Sequence, residues 1–246
     1  MASIALLKTA SPEDLSKVQG VCFDIDDTFS TQGKITAPAF NALWQLKQAG
    51  FVLVPVTGRP AGWCDHIARF WPVDAVIGEN GAFVFYMDQG KRQRLNVLND
   101  EESSKAKDQL WALAKGLSEH FPAIRFASDQ DYREYDLAID VCEDVPSWDT
   151  PEIDRLLEYC RSFGSGAHAK LSSIHVNTWF GDYDKQKMMS VWLQKGLPGA
   201  SKKINQLENW IYIGDSPNDE PAFAYFPKSV GVAKSVNVSS ISVGGA

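Results

Sequence analysis

Histidine and cysteine are scarce, with four of each in 246 residues. Cys22, Cys64, Cys142 and Cys160 form no CxxC pair and sit in or beside apolar runs. That pattern gives no disulfide framework and points to small buried thiols in a reduced compartment. No apolar run reaches the ~18 residues that a membrane span needs, and residues 4–7 are too short an apolar run for a signal peptide. Positive charge is not in excess either: Lys and Arg number 24 against 31 Asp and Glu, a net charge of -7. This argues against general nucleic-acid binding, which needs a basic face, and against polybasic attachment to anionic lipid. Internal repeats and low-complexity segments are absent, and cytoplasm is the expected location.

What is present is the composition of an ordinary globular protein, 44% hydrophobic and 22% charged. The length allows one large domain or two modest ones at ~100–200 residues each. Residues 20–25 (GVCFDI) form a short apolar run ending in acidic residues, as in a strand covered on both faces. A helix follows, with Thr36 as N-cap, Pro38 in its first turn, Phe40, Leu43, Trp44 and Lys47 at helical spacing, and Gly50 closing it. Residues 51–56 (FVLVPV) read as a second strand, 61–70 as a helix and 74–77 as a third strand. The order βαβαβ implies a parallel sheet with right-handed crossovers.

The rhythm changes after Tyr86. Residues 87–94 are polar, and a long helix then shows Leu110, Leu113, Ala114 and Leu117 on one face. A second helix carries Ile153, Leu156, Leu157 and Cys160, and strands are predicted at 124–127, 137–141 and 174–178. From Asp184 the first pattern returns, with a helix to about Lys195, a strand at 210–213 (WIYI), a helix from Pro217 and a last strand at 229–232. The expected fold is α/β: a doubly wound, Rossmann-like parallel-sheet core, residues 1–86 and 184–246, interrupted by an inserted α+β domain at 87–183. The Ser/Val/Gly-rich tail after Ala233 is expected to be loosely held.

Four signals fall where open α/β sheets place ligands, at the carboxyl ends of strands. Asp24-Ile25-Asp26-Asp27-Thr28 follows the first strand. Alternation points Asp24 and Asp26 the same way, and carboxylates that close repel unless a cation sits among them. A hard cation such as Mg²⁺ takes such oxygens; a plain acidic turn is the alternative. Thr57-Gly58-Arg59-Pro60 offers a hydroxyl and a backbone N–H to an anion, or else caps a helix. Lys185 shares a helix face with Met188, Met189 and Trp192, whereas Lys187 shares one with Ser190 and Gln194. Lys185 is therefore aimed at protein and Lys187, kept as an alternate, at water. Ser216 to Asp219 reads as a capping box with Pro217 at the first helical position, which leaves Asp215, at the tip of an apolar strand, to be explained.

Taken in this order, FDIDDT, VTGRP, DK at a helix head and GDSPND resemble the motifs of the haloacid dehalogenase superfamily of phosphotransferases. The insertion between the second and third motifs resembles the subgroup with a larger α/β cap, which includes Cof-type and sucrose-phosphatase-like enzymes. Glu79-Asn80-Gly81-Ala82 is similar to a run found in that subgroup just before the cap. The resemblance implies Asp24 as the nucleophile that carries an aspartyl-phosphate, and Asp26 as general acid and then base. It also implies phosphate contacts from Thr57, the Gly58 amide, Lys185 and Asn218. Mg²⁺ would be bound by Asp24, the Asp26 carbonyl and Asp215, with Asp219 supporting the metal or Lys185. Two departures from the family pattern stand out. Gln186 occupies the place of a usual Gly, and the chain stops soon after Gly231-Val232-Ala233, where many relatives continue with another strand and helix.

Caps in this family close over the site and choose the leaving group. Ser173, His175 and Asn177 alternate onto one face of the strand predicted at 174–178, where they could meet sugar hydroxyls; a solvated strand face is the alternative. Arg59 joins them as a candidate for specificity, and Arg133 and Lys170 could meet a second anionic group. Trp148 and Trp179 are expected to pack. The expected activity is Mg²⁺-dependent hydrolysis of a small phosphorylated metabolite, such as a sugar phosphate. A phosphomutase and a non-catalytic phosphometabolite-binding protein are the alternatives. No nucleic-acid or membrane partner is expected.

Overall fold

The structure, a computed structural model, describes residues 11–196 and 206–232. The tail after Ala233 lies outside them. After a short helix α1 (Pro12–Leu15), the chain enters β1 (Gly20–Phe23), α2 (Ala37–Gln48), β2 (Val52–Pro55), α3 (Ala61–Phe70) and β3 (Ala75–Gly78). β4 (Phe83–Asp88) and β5 (Lys91–Asn96) follow, then α4 (Asp100–His120), β6 (Asp136–Asp140), α5 (Thr150–Ser162), β7 (Ala167–Leu171) and β8 (His175–Phe180). The chain returns through α6 (Lys185–Lys195), β9 (Trp210–Gly214), α7 (Glu220–Tyr225) and β10 (Ser229–Gly231).

The core sheet is parallel, in the order β10-β9-β1-β2. β1 lies at its centre with all four residues buried, as an unbroken apolar run requires. The strand order reverses between β2 and β9, on either side of β1, so the loops after these strands converge at one edge. The predicted βαβαβ holds through β2. β3, however, touches the sheet only through the parallel bridge Val56–Ile77 and pairs antiparallel with β4. β4 then pairs with β5 through a two-residue turn in which Gln89 and Gly90 have φ of 47° and 75°. Positive φ at both positions is the geometry that matches strand twist in a tight hairpin. The boundary expected at 86/87 therefore falls inside β4, and the hairpin remains attached to β3.

The cap sheet is antiparallel, ordered β6-β8-β7, and packs on α4 and α5. Both helices start with a capping box, Asn99 with Glu102 and Asp149 with Glu152, which satisfies end N–H groups that have no partner within the helix. Leu113, Leu117, Leu156 and Cys160 are fully buried between helices and sheet. Residues 124–127 do not form a strand and make only the bridge Phe126–Ile139. β7 is an addition to the predicted strands: it alternates Ala-His-Ala-Lys-Leu, a weak signal because two of its apolar residues are alanines. The solvated-face alternative for β8 is excluded, because all six of its residues are buried. Trp148 and Trp179 pack into hydrophobic clusters, as expected.

Trp192 of α6 and Trp210 of β9 meet edge to face at 5.5 Å in the core, both fully buried, while Trp111 of α4 is 78% exposed. Trp192→Ala is expected to cost about 3–5 kcal/mol by leaving a cavity, and Trp111→Ala under about 0.5 kcal/mol. Urea unfolding of the two variants beside wild type checks both, and equal losses would contradict the packing described.

Candidate active site

The four predicted motifs converge at the carboxyl edge of the core sheet. Asp24 leaves β1 buried, and its N–H donates to the Ile213 carbonyl of β9 at 2.9 Å. Lys185 opens α6, whose N-cap Asp184 accepts from the Lys187 N–H at 2.8 Å. The Lys185 ammonium donates to Asp24 Oδ1 at 2.8 Å and to Asp219 Oδ1 at 2.7 Å, with only 1% of the side chain exposed. Lys187 instead pairs with Asp182 at the surface. The helix face separates the two lysines as the periodicity indicated, and Gln186 does not shift the helix start away from Lys185.

Asp219 is fully engaged. Its Oδ1 also accepts from the Tyr212 hydroxyl at 2.6 Å, and its Oδ2 from the backbone N–H of Asp215 (3.0 Å) and Ser216 (3.1 Å). The capping box read from the sequence is present, and it starts a 3₁₀ turn at 217–219. Asp215 accepts from Thr28 Oγ1 at 2.9 Å and, across to the cap, from Ser173 Oγ at 3.1 Å.

Three carboxylates, of Asp24, Asp215 and Asp219, offer oxygens within 4.8 Å of one another around one ammonium. Burial pushes the Asp24 carboxyl well above the usual range; Lys185 pulls it back, and Asp219 and Asp26 push it further up. This set is short of positive charge. It consists of oxygens alone, without histidine or thiolate, and Asp24 and Asp215 are less saturated with donors than Asp219. Such a set fits a hard cation.

The Asp26 side chain turns away from this group. Arg59 grips it in a fork, with Nε at 3.0 Å from Oδ2 and Nη2 at 2.8 Å from Oδ1. Arg59 also reaches Glu143 and Asp129 of the cap and stacks over Trp63. Its guanidinium is thus engaged with three carboxylates of the protein. Thr57 does not cap α3. Its Oγ1 accepts from the Arg59 N–H at 3.0 Å, which leaves the hydroxyl proton to donate elsewhere. The group at the helix start is Glu79, whose Oε1 accepts from the Ala61 N–H at 3.0 Å.

Glu79 also accepts from the N–H groups of Glu134 and Tyr135 in the cap, and burial raises its carboxyl to about 8. Glu79, Asn80 and Gly81 all take positive φ, at 43°, 55° and 108°. A methyl at Gly81 would overlap the Asp184 carbonyl at the head of α6. This strained turn links the phosphate-loop candidate, the cap and the lysine helix. Asn80 accepts from Asn218 Nδ2 at 3.2 Å.

Between core and cap lies a narrow crevice. Asp24, Asp26, Gly58, Arg59, Ser216 and Asn218 form its core wall, and Ser172, Ser173, Ile174, His175 and Asn177 its cap wall. Thr57 and Lys185 are not among its lining residues. Arg133 does not serve a second anion: its side chain is fully buried, bound to Asp129 and Asp136 and to the Gly58 carbonyl at 2.9 Å. Lys170 lies 3.9 Å from Glu220. Glu143 was not singled out from the sequence, because nothing near it in the chain marks a partner 84 residues away.

Residues 21–127 match the family described as haloacid dehalogenase-like hydrolase. Most of the chain also resembles solved structures, which share its fold. A Thermoplasma acidophilum protein is 17% identical, with 87% of this chain and 83% of that one aligned and a TM-score of 0.65. The sucrose-phosphatase of Synechocystis sp. PCC6803, solved with sucrose and phosphate, is 20% identical over 84% and 79% of the chains, with a TM-score of 0.57. The C-terminal domain of C. albicans trehalose-6-phosphate phosphatase is 14% identical over 86% and 74%, with a TM-score of 0.62. No curated protein matches the sequence. The fold is the Rossmann-like core with a cap, as expected. No helix among the described residues is long and apolar enough to cross a membrane.

Asp24 and Glu79 each hold a proton more tightly folded than unfolded, where carboxyls titrate near ~4. The unfolded chain releases these protons first, so metal-free stability falls as pH rises from ~4, through about 8 for Glu79. Asp24→Asn and Glu79→Gln should each flatten that fall. Urea midpoints between pH 5 and pH 8.5 in EDTA test this, and slopes identical to wild type would contradict it.

Proposed function

We propose that this chain is a Mg²⁺-dependent phosphomonoesterase that transfers the phosphoryl group of a small phosphorylated metabolite first to Asp24 and then to water. The observation that carries the reading is the buried ammonium of Lys185 between Asp24 and Asp219, behind Asp24, which itself lines the crevice between core and cap. Phosphoryl transfer asks for positioning and charge compensation above all. An acidic protein needs such a local source of positive charge to accept a phosphate dianion.

In this reading a carboxylate oxygen of Asp24 attacks phosphorus. The P–O bond to the substrate breaks, and Asp26 gives its proton to the departing oxygen. Asp26 then takes a proton from the water that opens the aspartyl-phosphate. Lys185 neutralises Asp24 and the incoming phosphate. The Gly58 N–H, the Thr57 hydroxyl and Asn218 orient the phosphate oxygens. Asp24, Asp215 and the Asp26 carbonyl would hold Mg²⁺, which when bound supplies the further positive charge that the carboxylates and phosphate need. Asp219 keeps Lys185 in place.

The segment between the β4–β5 hairpin and α6, about residues 97–183, is taken as the cap that chooses the leaving group. Ser173, His175 and Asn177 on its crevice wall contact Asp215, Glu143 and Asp136, and their remaining donor and acceptor positions suit hydroxyls. Arg59 and Arg133 are both bound to protein carboxylates. A neutral polyol therefore suits this wall better than a second anionic group, and a sugar phosphate is the favoured substrate. Two of the similar structures are named as phosphatases of sucrose phosphate and trehalose 6-phosphate type.

Phosphate release should be measured over a panel of phosphorylated sugars, with Mg²⁺ and with EDTA. Wild type with Mg²⁺ should release phosphate, chelation should abolish the release, and Asp24→Asn should lower it at least ~10³-fold while leaving the fold intact. An Asp24→Asn variant near the wild-type rate, or transfer to a second sugar without release, would overturn the hydrolase reading.

A further inference from the structure

Glu143 follows β6 in a turn built around Asp140. The buried Asp140 carboxylate accepts from the backbone N–H groups of Cys142 (3.0 Å), Glu143 (2.8 Å) and Asp144 (2.8 Å). The turn is fixed by main-chain bonds, and the Glu143 side chain extends from it towards the core. Its Oε1 accepts from Arg59 Nη2 at 2.9 Å, and its Oε2 lies 2.9 Å from His175 Nε2. The hydrogen bond from His175 and the Arg59 charge hold the Glu143 carboxyl down at about 2.

Arg59 is the link. Its Nε and Nη2 face Asp26, Nη2 is shared with Glu143, and Nη1 lies 3.5 Å from Asp129. A guanidinium held along one edge alone can swing about that contact, whereas a partner on a further N–H, as Glu143 is on Nη2, fixes its orientation. Asp129 is the weaker of the two cap partners, because it is also held by Arg133 Nε at 3.1 Å. Glu143 is the partner with no second arginine.

We propose that Glu143 is a positioning residue for the general acid: acting through Arg59, it orients the Asp26 carboxyl towards the leaving oxygen, so that the acid is aligned only with the cap docked. This rests on the phosphatase reading. In the step concerned the Asp24 O–P bond forms, the P–O bond to the substrate breaks, and the Asp26 proton moves to the departing oxygen. Small displacements of a reacting group cost large factors in rate. Removal of Glu143 should therefore slow only reactions that need this proton.

The test compares two leaving groups. A sugar alkoxide needs the proton, whereas 4-nitrophenolate leaves without it. The parameter to compare is kcat/KM, which covers the steps from free enzyme to the first irreversible one, departure of the leaving group. The variants are Glu143→Ala, which removes the acceptor, and Glu143→Gln, which keeps a carbonyl oxygen for Arg59. Both leave the backbone bonds to Asp140 in place, and melting temperatures check the fold. The sugar substrate is the panel member that wild type hydrolyses fastest. Glu143→Ala should lower kcat/KM on it about 10-fold or more, within the range of general acid catalysis. It should change 4-nitrophenyl phosphate turnover less than about twofold, and Glu143→Gln should regain most of the loss. Equal losses on both substrates, or no loss on the sugar phosphate, would overturn the inference. Wild type inactive on both substrates would overturn the phosphatase reading itself, and the inference with it.

Discussion

One buried cation organises this molecule. The Lys185 ammonium is almost wholly out of water and sits between Asp24 and Asp219. Desolvating such a group is costly unless its partners are held in place, and the structure supplies that restraint from several directions. Asp219 is fixed by two backbone N–H groups and the Tyr212 hydroxyl. Asp24 is fixed by its place at the end of the central strand. Lys185 is fixed by the first turn of α6, and that helix by Met188, Met189 and Trp192 in the core. Apolar packing thus determines where a charge lies, and the charge determines which carboxylate can stay ionised in the interior.

Around this centre, the cap is tied to the core by charged and polar contacts at the crevice and by an apolar cluster that packs Tyr135 and Trp179 against Cys64 and Phe83. Arg59, Arg133, Glu79 and Ser173 each connect the two parts. Polar contacts of this kind depend on direction as well as distance. The cap's tilt is therefore felt by the groups that line the crevice. The same contacts leave Arg59 and Arg133 bound to protein carboxylates.

Legibility in the sequence followed the range of the interactions. The bounds of α3 and the choice between Lys185 and Lys187 could be read because helical periodicity is local. The acidic residues after β1 stood out because a buried strand seldom ends in three carboxylates. β5 escaped because its residues are mostly polar and only half buried, and β7 because its alternating Ala-His-Ala-Lys-Leu is short and its apolar positions are mainly small alanines. The hairpin of β4 and β5 was signalled only by Gln89-Gly90, a weaker turn pair than Asn-Gly. Arg59, Arg133 and Glu143 were beyond reach in another sense: their partners are set by how cap and core meet, and no spacing along the chain records that.

The overlap that a methyl at Gly81 would make with the Asp184 carbonyl has a consequence for how such a chain can diversify. It sets the turn before the β4–β5 hairpin against the head of α6, and Val97, where the hairpin ends, donates to the Ala82 carbonyl at 2.9 Å, so the way into the cap and the way back from it lie close together. Whatever is inserted between them has its two ends delivered at almost the same point, the condition under which domains accept insertions. The chemistry at the sheet edge can then stay constant while the inserted portion drifts, lengthens or is exchanged for another. A residue without a side chain acts here as the seam along which one ancestral scaffold could be refitted for new substrates.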